Sequence, residues 1–172
     1  MTPKTTRTSS SSLWIPPELR ARIESAAQRG LPHPSCGVLI GKASSDRVLV
    51  KRVVDAENLA RQRPSGAYEL DPLALFRAER KARDLGLAVV GIFVARAADE
   101  ARPTRVDLAL AWEGWSYLFV AARPDKVREL RSWRLVGGEF EEERIGAGRD
   151  GDQRPSAGVD VSGTTTSIEP FQ

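Results

Sequence analysis

Few residues in this 172-residue chain are equipped for chemistry. His33 is the single histidine and Cys36 the single cysteine, and only Pro34 and Ser35 separate them. A thiol beside an imidazole could make a nucleophile and its base. Against that, Cys36 opens an apolar run beside Gly37 and reads as a small buried thiol, while His33 between two prolines reads as polar surface. Asp99, Glu100 and Asp107 are a second grouping, an oxygen-only set of the kind that suits a hard cation. Arg96, Arg102 and Arg105 lie among them, and charge pairing is the simpler account of these acids. Thr104 and Asp107 have the spacing of a capping box, in which each side chain serves the other's main-chain N–H. Arg96 has two readings: it pairs with Asp107 or Asp99, or it reaches to solvent. One histidine excludes any two-histidine metal site within a single chain.

These residues cluster around one stretch, Leu87 to Ala122, which must position them. Leu87 to Ala95 is a near-continuous apolar run with Val89, Val90, Ile92, Phe93 and Val94, as expected of a strand covered on both faces. Arg96 to Pro103 is a polar loop, Arg105 to Trp112 a short helix and Trp115 to Ala122 another strand. A buried strand that empties into a charged loop and a capped helix is a common setting for a site. Trp112, Trp115 and Trp133 read as core and rim packing.

The rest of the chain supplies the frame. Leu13-Trp14-Ile15 reads as a short extended anchor. Pro16-Pro17-Glu18 open a helix whose apolar face is Leu19, Ile23, Ala26 and Ala27, and Gly30 ends it. Cys36 to Gly41 and Arg47 to Asp55 read as strands joined by the turn Ser44-Ser45-Asp46, an antiparallel hairpin. A polar loop, Ala56 to Gly66, leads to a short strand, Ala67 to Leu70. Asp71 and Pro72 start a second helix running to about Leu85, with Leu75, Ala78, Ala82 and Leu85 on one face. Beyond the central unit, Val127 to Val136 is a strand, Gly137-Gly138 a turn, and Glu139 to Ile145 can pair back.

Composition bounds the function classes. The length suits one domain, expected over 13–145, with disordered tails at 1–12 and 146–172 because both ends are rich in small polar residues. The longest apolar run, nine residues from Leu87, falls well short of the roughly 20 a membrane span needs. The N-terminus lacks the apolar stretch of a secretory signal. A lone cysteine forms no internal disulfide, so the expected place is the cytoplasm. The net charge of +3 comes from 26 basic and 23 acidic residues interspersed on helix faces, without the basic block and interleaved aromatics of a nucleic-acid surface.

The central stretch resembles the JAMM (JAB/MPN) metalloprotease family, especially small bacterial members. Active members carry H-x-H-x7-S-x2-D after a Gly-Ile-aromatic strand, here Gly91-Ile92-Phe93. On that alignment the two histidine positions fall on Val94 and Arg96, the serine on Thr104 and the aspartate on Asp107. The general-base glutamate position falls on Pro34 or His33. The helix Asp107-Leu108-Ala109-Leu110-Ala111-Trp112 and the strand Trp115-Ser116-Tyr117-Leu118 fit the family, and the likeness spans Leu13 to Ile145. The resemblance implies an α/β fold, a mixed sheet flanked by two longer helices and one short one. It also implies a degenerate zinc site: a hydrocarbon at Val94 has no lone pair, and a guanidinium at Arg96 stays protonated and repels a metal ion. The expectation is a pseudoenzyme with no metal, no catalytic residue and no cofactor. By the same resemblance, its partner would be an active JAMM paralogue or a ubiquitin-like or sulfur-carrier protein, met near Tyr68, Glu69 and Leu70, with homo- or heterodimers open. The alternative is an active zinc metallopeptidase with relocated ligands.

Overall fold

A strand whose neighbouring residues are all apolar must be covered on both sides, and the architecture shows how. The computed structural model describes residues 8–61, 63 and 67–148. Seven strands occur among them: β1 (Thr8–Trp14), β2 (Ser35–Ala43), β3 (Arg47–Ala56), β4 (Ala88–Ala97), β5 (Ser116–Arg123), β6 (Lys126–Val136) and β7 (Glu139–Gly146). The helices are α1 (Pro17–Gly30), α2 (Pro72–Asp84) and the short α3 (Arg105–Leu110). The strands form one mixed sheet in the order β1-β3-β2-β4-β5-β6-β7 that closes on itself as a barrel. β1 runs parallel to both β3 and β7, and β4 parallel to β5, while the other pairs are antiparallel.

Side-chain alternation sorts the core into faces. Leu118, Val120 and Ala122 of β5 join Phe93, Leu39 and Leu13 around Ile23 and Ala27 of α1. That helix touches β2, β3, β4, β5 and β6, so it lies within the curve of the sheet. On the opposite face, Val38 and Ile40 pack against Ala78 and Ala82 of α2. Further along that face Cys36, Val94, Tyr117 and Phe119 form a third cluster with Tyr68, Ala101 and Trp133. α2 starts where Leu73 N–H donates to the Asp71 carboxylate at 2.9 Å, the expected cap. No helix among the described residues is long and apolar enough to cross a membrane.

Two sequence expectations change. The N-terminal boundary at residue 13 falls inside β1, which begins at Thr8. Its Ser/Thr run carries no apolar alternation because the inward Ser11 is satisfied by a hydrogen bond to buried Glu143, not by hydrophobic contact. Ala67 to Leu70 is not a strand; Leu70 makes a single antiparallel bridge to Asn58. Nothing in the local pattern foretells barrel closure, which depends on β1 reaching β7 across the length of the chain. The expected tail beyond Gly148 lies outside the described residues, as do residues 1–7.

β4 and β5 approach so closely at Gly91 that an added Cβ would sit 1.9 Å from the Ser116 carbonyl oxygen. Backbone cannot yield there as a flexible side chain can. Gly91→Ala is therefore expected to cost about 2 kcal/mol or more, read as a lowered urea midpoint at unchanged slope.

Candidate functional site

β4 delivers Val94 and Arg96 to one face because they are two residues apart. Val94 is buried at 1% exposure, paired laterally with Cys36 of β2 and Phe119 of β5. Arg96 lies next along that face, where β4 leaves the covered part of the sheet. The antiparallel register sets Ser35 opposite Ala95, which brings Pro34 alongside Arg96. The loop after β4 then returns α3 to the same place. Arg96, Thr104 and Asp107, scattered over the sequence, thus converge, with Val94 one step back on the same strand face and Pro34 just ahead of β2, its carbonyl held by Asn58, whereas His33 is exposed.

The centre is an ion pair. Asp107 has a fully buried side chain, 0% exposed, and Arg96 is 16% exposed. Two guanidinium nitrogens grip the carboxylate side by side: Nη1 donates to Oδ2 at 3.0 Å and Nη2 to Oδ1. Oδ2 also accepts the Thr104 N–H at 2.6 Å, and the Asp107 N–H donates to Thr104 Oγ1 at 3.2 Å. This reciprocal capping box anchors α3. Asp107 therefore faces both the positive end of a helix and a fixed cation. Of the two partners open to Arg96, the structure selects Asp107. Asp99 is held by Arg123 at 2.8 Å and Arg128 at 3.7 Å, and the hydrogen bond from Arg123 lowers its carboxyl pKa. Glu100 pairs with Arg102 at 2.7 Å. These acids do not converge with Asp107 on a common point. Among the described residues no group of three or more His, Cys, Asp or Glu is placed to hold a metal ion.

Aromatic rings wall the guanidinium. Its Cζ lies 5.7 Å from the Tyr68 ring centre and 5.5 Å from that of Phe119, within cation–π range. Tyr68 is buried, and burial first, then the nearby Asp107 charge, raises its hydroxyl pKa. Behind the rings Trp133 Nε1 donates to the Ala101 carbonyl at 3.2 Å, and Ala101 N–H donates to Glu129 at 2.7 Å. Those two bonds fasten the loop that carries the site. Trp112 and Trp115 stack at its outer edge, ring centres 5.1 Å apart, and the Tyr117 hydroxyl accepts the Trp112 N–H at 2.6 Å.

Asn58 is the residue that sequence reasoning misses. Its amide donates to the Pro34 carbonyl at 3.1 Å and the Ala67 carbonyl at 3.3 Å. Its oxygen accepts from Ala60 and Glu69 N–H groups at 3.0 and 2.9 Å. One buried side chain thus fixes the segment that carries Tyr68. Its only sequence signal is an asparagine within a polar loop, which many loops share. Glu69 faces Asn58 with its main chain, and its carboxylate pairs with Arg63 at 2.8 Å. The main-chain groups of Tyr68 and Leu70 alternate to the other side, where no main-chain partner among the described residues meets them.

Chemically, neither the Val94 hydrocarbon nor the carboxylate-bound Arg96 guanidinium can ligate a metal, so the donors gathered here do not fit a zinc ion. Cys36 does not replace them. Its Sγ lies 3.9 and 3.8 Å from the carbonyl oxygens of Ala56 and Glu57, and burial pushes its pKa from 9.0 up to about 12. A neutral thiol is a poor nucleophile.

Residues 16–136 match the family described as prokaryotic homologs of the JAB domain. CysO-cysteine peptidases of Mycobacterium bovis and Mycobacterium tuberculosis are 35% identical over 120 residues, 69% of this chain and 80% of theirs. A solution structure from Desulfitobacterium hafniense superimposes with a TM-score of 0.69 at 28% identity, over 80% of this chain and 94% of that one. One from Salinibacter ruber gives 0.61 at 27%, over 83% and 94%.

Removing the guanidinium would strand the Asp107 carboxylate without its cation. Arg96→Ala is expected to lower stability by about 2–4 kcal/mol, whereas a joint Arg96→Met, Asp107→Leu change should cost less than the sum of the singles; chemical denaturation measures both. Cys36 gives a pH signature. Its folded pKa is raised, so the associated stability is complete below pH 9.0 and is lost as pH climbs toward about 12. Iodoacetamide at pH 8 should accordingly modify Cys36 only after denaturant is added, as followed by mass spectrometry.

Proposed function

The chain belongs to the family of prokaryotic JAB-domain homologues, and within it we propose that this member binds a protein without cleaving it. The observation that carries the reading is the Arg96–Asp107 ion pair, because the carboxylate that would ligate a metal is occupied by a fixed cation. Water activation at such a centre has no Lewis acid, and Pro34 offers no carboxylate to take a proton. Val94, Arg96 and Asp107 are the degenerate metal positions on this reading, Thr104 the degenerate oxyanion position and Pro34 the degenerate base. The domain works in the cytoplasm.

The partner we infer is a ubiquitin-like sulfur-carrier protein, or an active JAMM paralogue with which the domain pairs. Relatives named CysO-cysteine peptidases support the first. The outward main-chain groups of Tyr68 and Leu70 supply an edge on which an extended tail can add as a strand, with Asn58 keeping that edge in place. A second reading, an active peptidase with relocated ligands, is favoured by the 35% identity to peptidases.

Two measurements separate the readings. Purified, dialysed protein is expected to carry no stoichiometric zinc and to leave a carrier–cysteine conjugate intact; chelator-sensitive cleavage would establish the second reading instead. A ubiquitin-like carrier with an intact C-terminal tail should bind in calorimetry, and Leu70→Pro, which removes an edge N–H, should weaken it by about tenfold. Equal affinity for a tail-truncated carrier would refute the edge as the docking place.

A further inference from the structure

Away from that site, on the side of the barrel where β1 closes it, a carboxylate is buried without a cation. Glu143 of β7 is 3% exposed. Its Oε1 accepts from the Ser132 hydroxyl at 2.7 Å and its Oε2 from the Ser11 hydroxyl at 3.0 Å. Arg134 donates to Ser11 Oγ at 2.8 Å, not to Glu143, and no ion pair among the described residues includes Glu143. A charge so buried ordinarily has an oppositely charged partner in contact with it. Two hydroxyls leave further lone pairs on both oxygens of a carboxylate.

The surroundings are as specific as the charge. The β6–β7 ladder runs from Val136–Glu139 only as far as Ser132–Glu143 and stops there. Continuing it would pair Leu130 with Ile145, yet the ladder holds no such pair, and an open groove of about 390 Å³ is lined there by Leu130, Ser132, Glu143 and Ile145. The Gly146 carbonyl accepts the Ile15 N–H across the β1 side. By alternation, Ile145 and Glu143 turn their main-chain groups toward β6. Ser132 answers Glu143, so Leu130, two residues along β6, turns its own toward β7. The main-chain groups of Leu130 and Ile145 thus face one another where the ladder has ended. Arg131 and Arg144 line the outer rim.

Such a wedge matches an extended peptide entering amino end first. Amides between two strand edges can bond to both, an ammonium at the tip meets the carboxylate and hydroxyls, and the volume suits roughly two or three residues, being near the lower end of ligand pockets. We propose that the β6–β7 wedge receives the free N-terminus of an extended peptide, its ammonium bound by Glu143 and its first amides bridging Leu130 and Ile145. This site is separate from the Arg96–Asp107 centre and stands whether or not the function proposed above does.

The test uses the full chain and three probes: trialanine amide, its N-acetylated form and n-propylamine. Trialanine amide should bind in calorimetry and shift the amide NMR signals of Leu130 and Ile145. Acetylation, and separately Glu143→Gln in a variant that still melts cooperatively, should each weaken binding by about tenfold or more. If Glu143→Gln does not fold, the comparison of free and acetylated peptide on the unaltered chain decides alone. Equal binding of the acetylated peptide, or no shift of those two amides at millimolar peptide, would overturn the proposal. Equal binding of n-propylamine would overturn the peptide and leave a small-amine site.

Discussion

Asp107 is a carboxylate with no access to water, and the mouth of the domain is arranged around that constraint. A buried anion must be matched by charge and hydrogen bonds or the structure does not hold. Here the match comes from three sources at once: a bidentate guanidinium, the Thr104 N–H and the N-terminus of α3. Each depends on a different element, so the pair ties β4, the following loop and α3 into one unit. The rings of Tyr68 and Phe119 enclose Arg96 and keep the pair partly dry, which strengthens it. Asn58 holds Tyr68 in place, so the order of that wall extends back to Pro34 and the end of β3.

The same pair fixes how three separate segments meet at the mouth of the domain. An ion pair and a metal site place similar demands on geometry: a strand end, a returning helix and a loop must meet within a few ångströms. Arg96 meets the electrostatic need of Asp107 from within the chain, with a charge that does not dissociate and cannot polarise a carbonyl as a Lewis acid does. The contrast with Glu143 is instructive, since that second buried acid meets only hydroxyls and sits beside main-chain groups that the sheet leaves unjoined.

How much of this is legible in the residues alone varies with range. Val94, Arg96, Thr104 and Asp107 can be picked out because family spacing and helix capping are short-range patterns. Asp107 as an N3 acid and Thr104 as a cap follow from three-residue spacing, and both occur in the structure. Asn58 and Phe119 escape notice because their roles arise only when distant segments meet. The strand expected at Tyr68 does not form, and its ring instead lies against Arg96, a contact between distant segments that no local pattern shows.

By itself the order of residues determined what local physics can decide: where helices begin, which runs are covered on both faces, and that a single histidine cannot furnish a two-imidazole centre. Tertiary structure decided the rest. It chose Asp107 over Asp99 as the partner of Arg96, drew Thr8–Trp14 into the sheet through Ser11 and Glu143, closed the barrel, and halted the β6–β7 ladder at Ser132. Periodicity and capping act over a few residues, whereas register, closure and the pairing of buried charges are settled between elements that the sequence holds far apart.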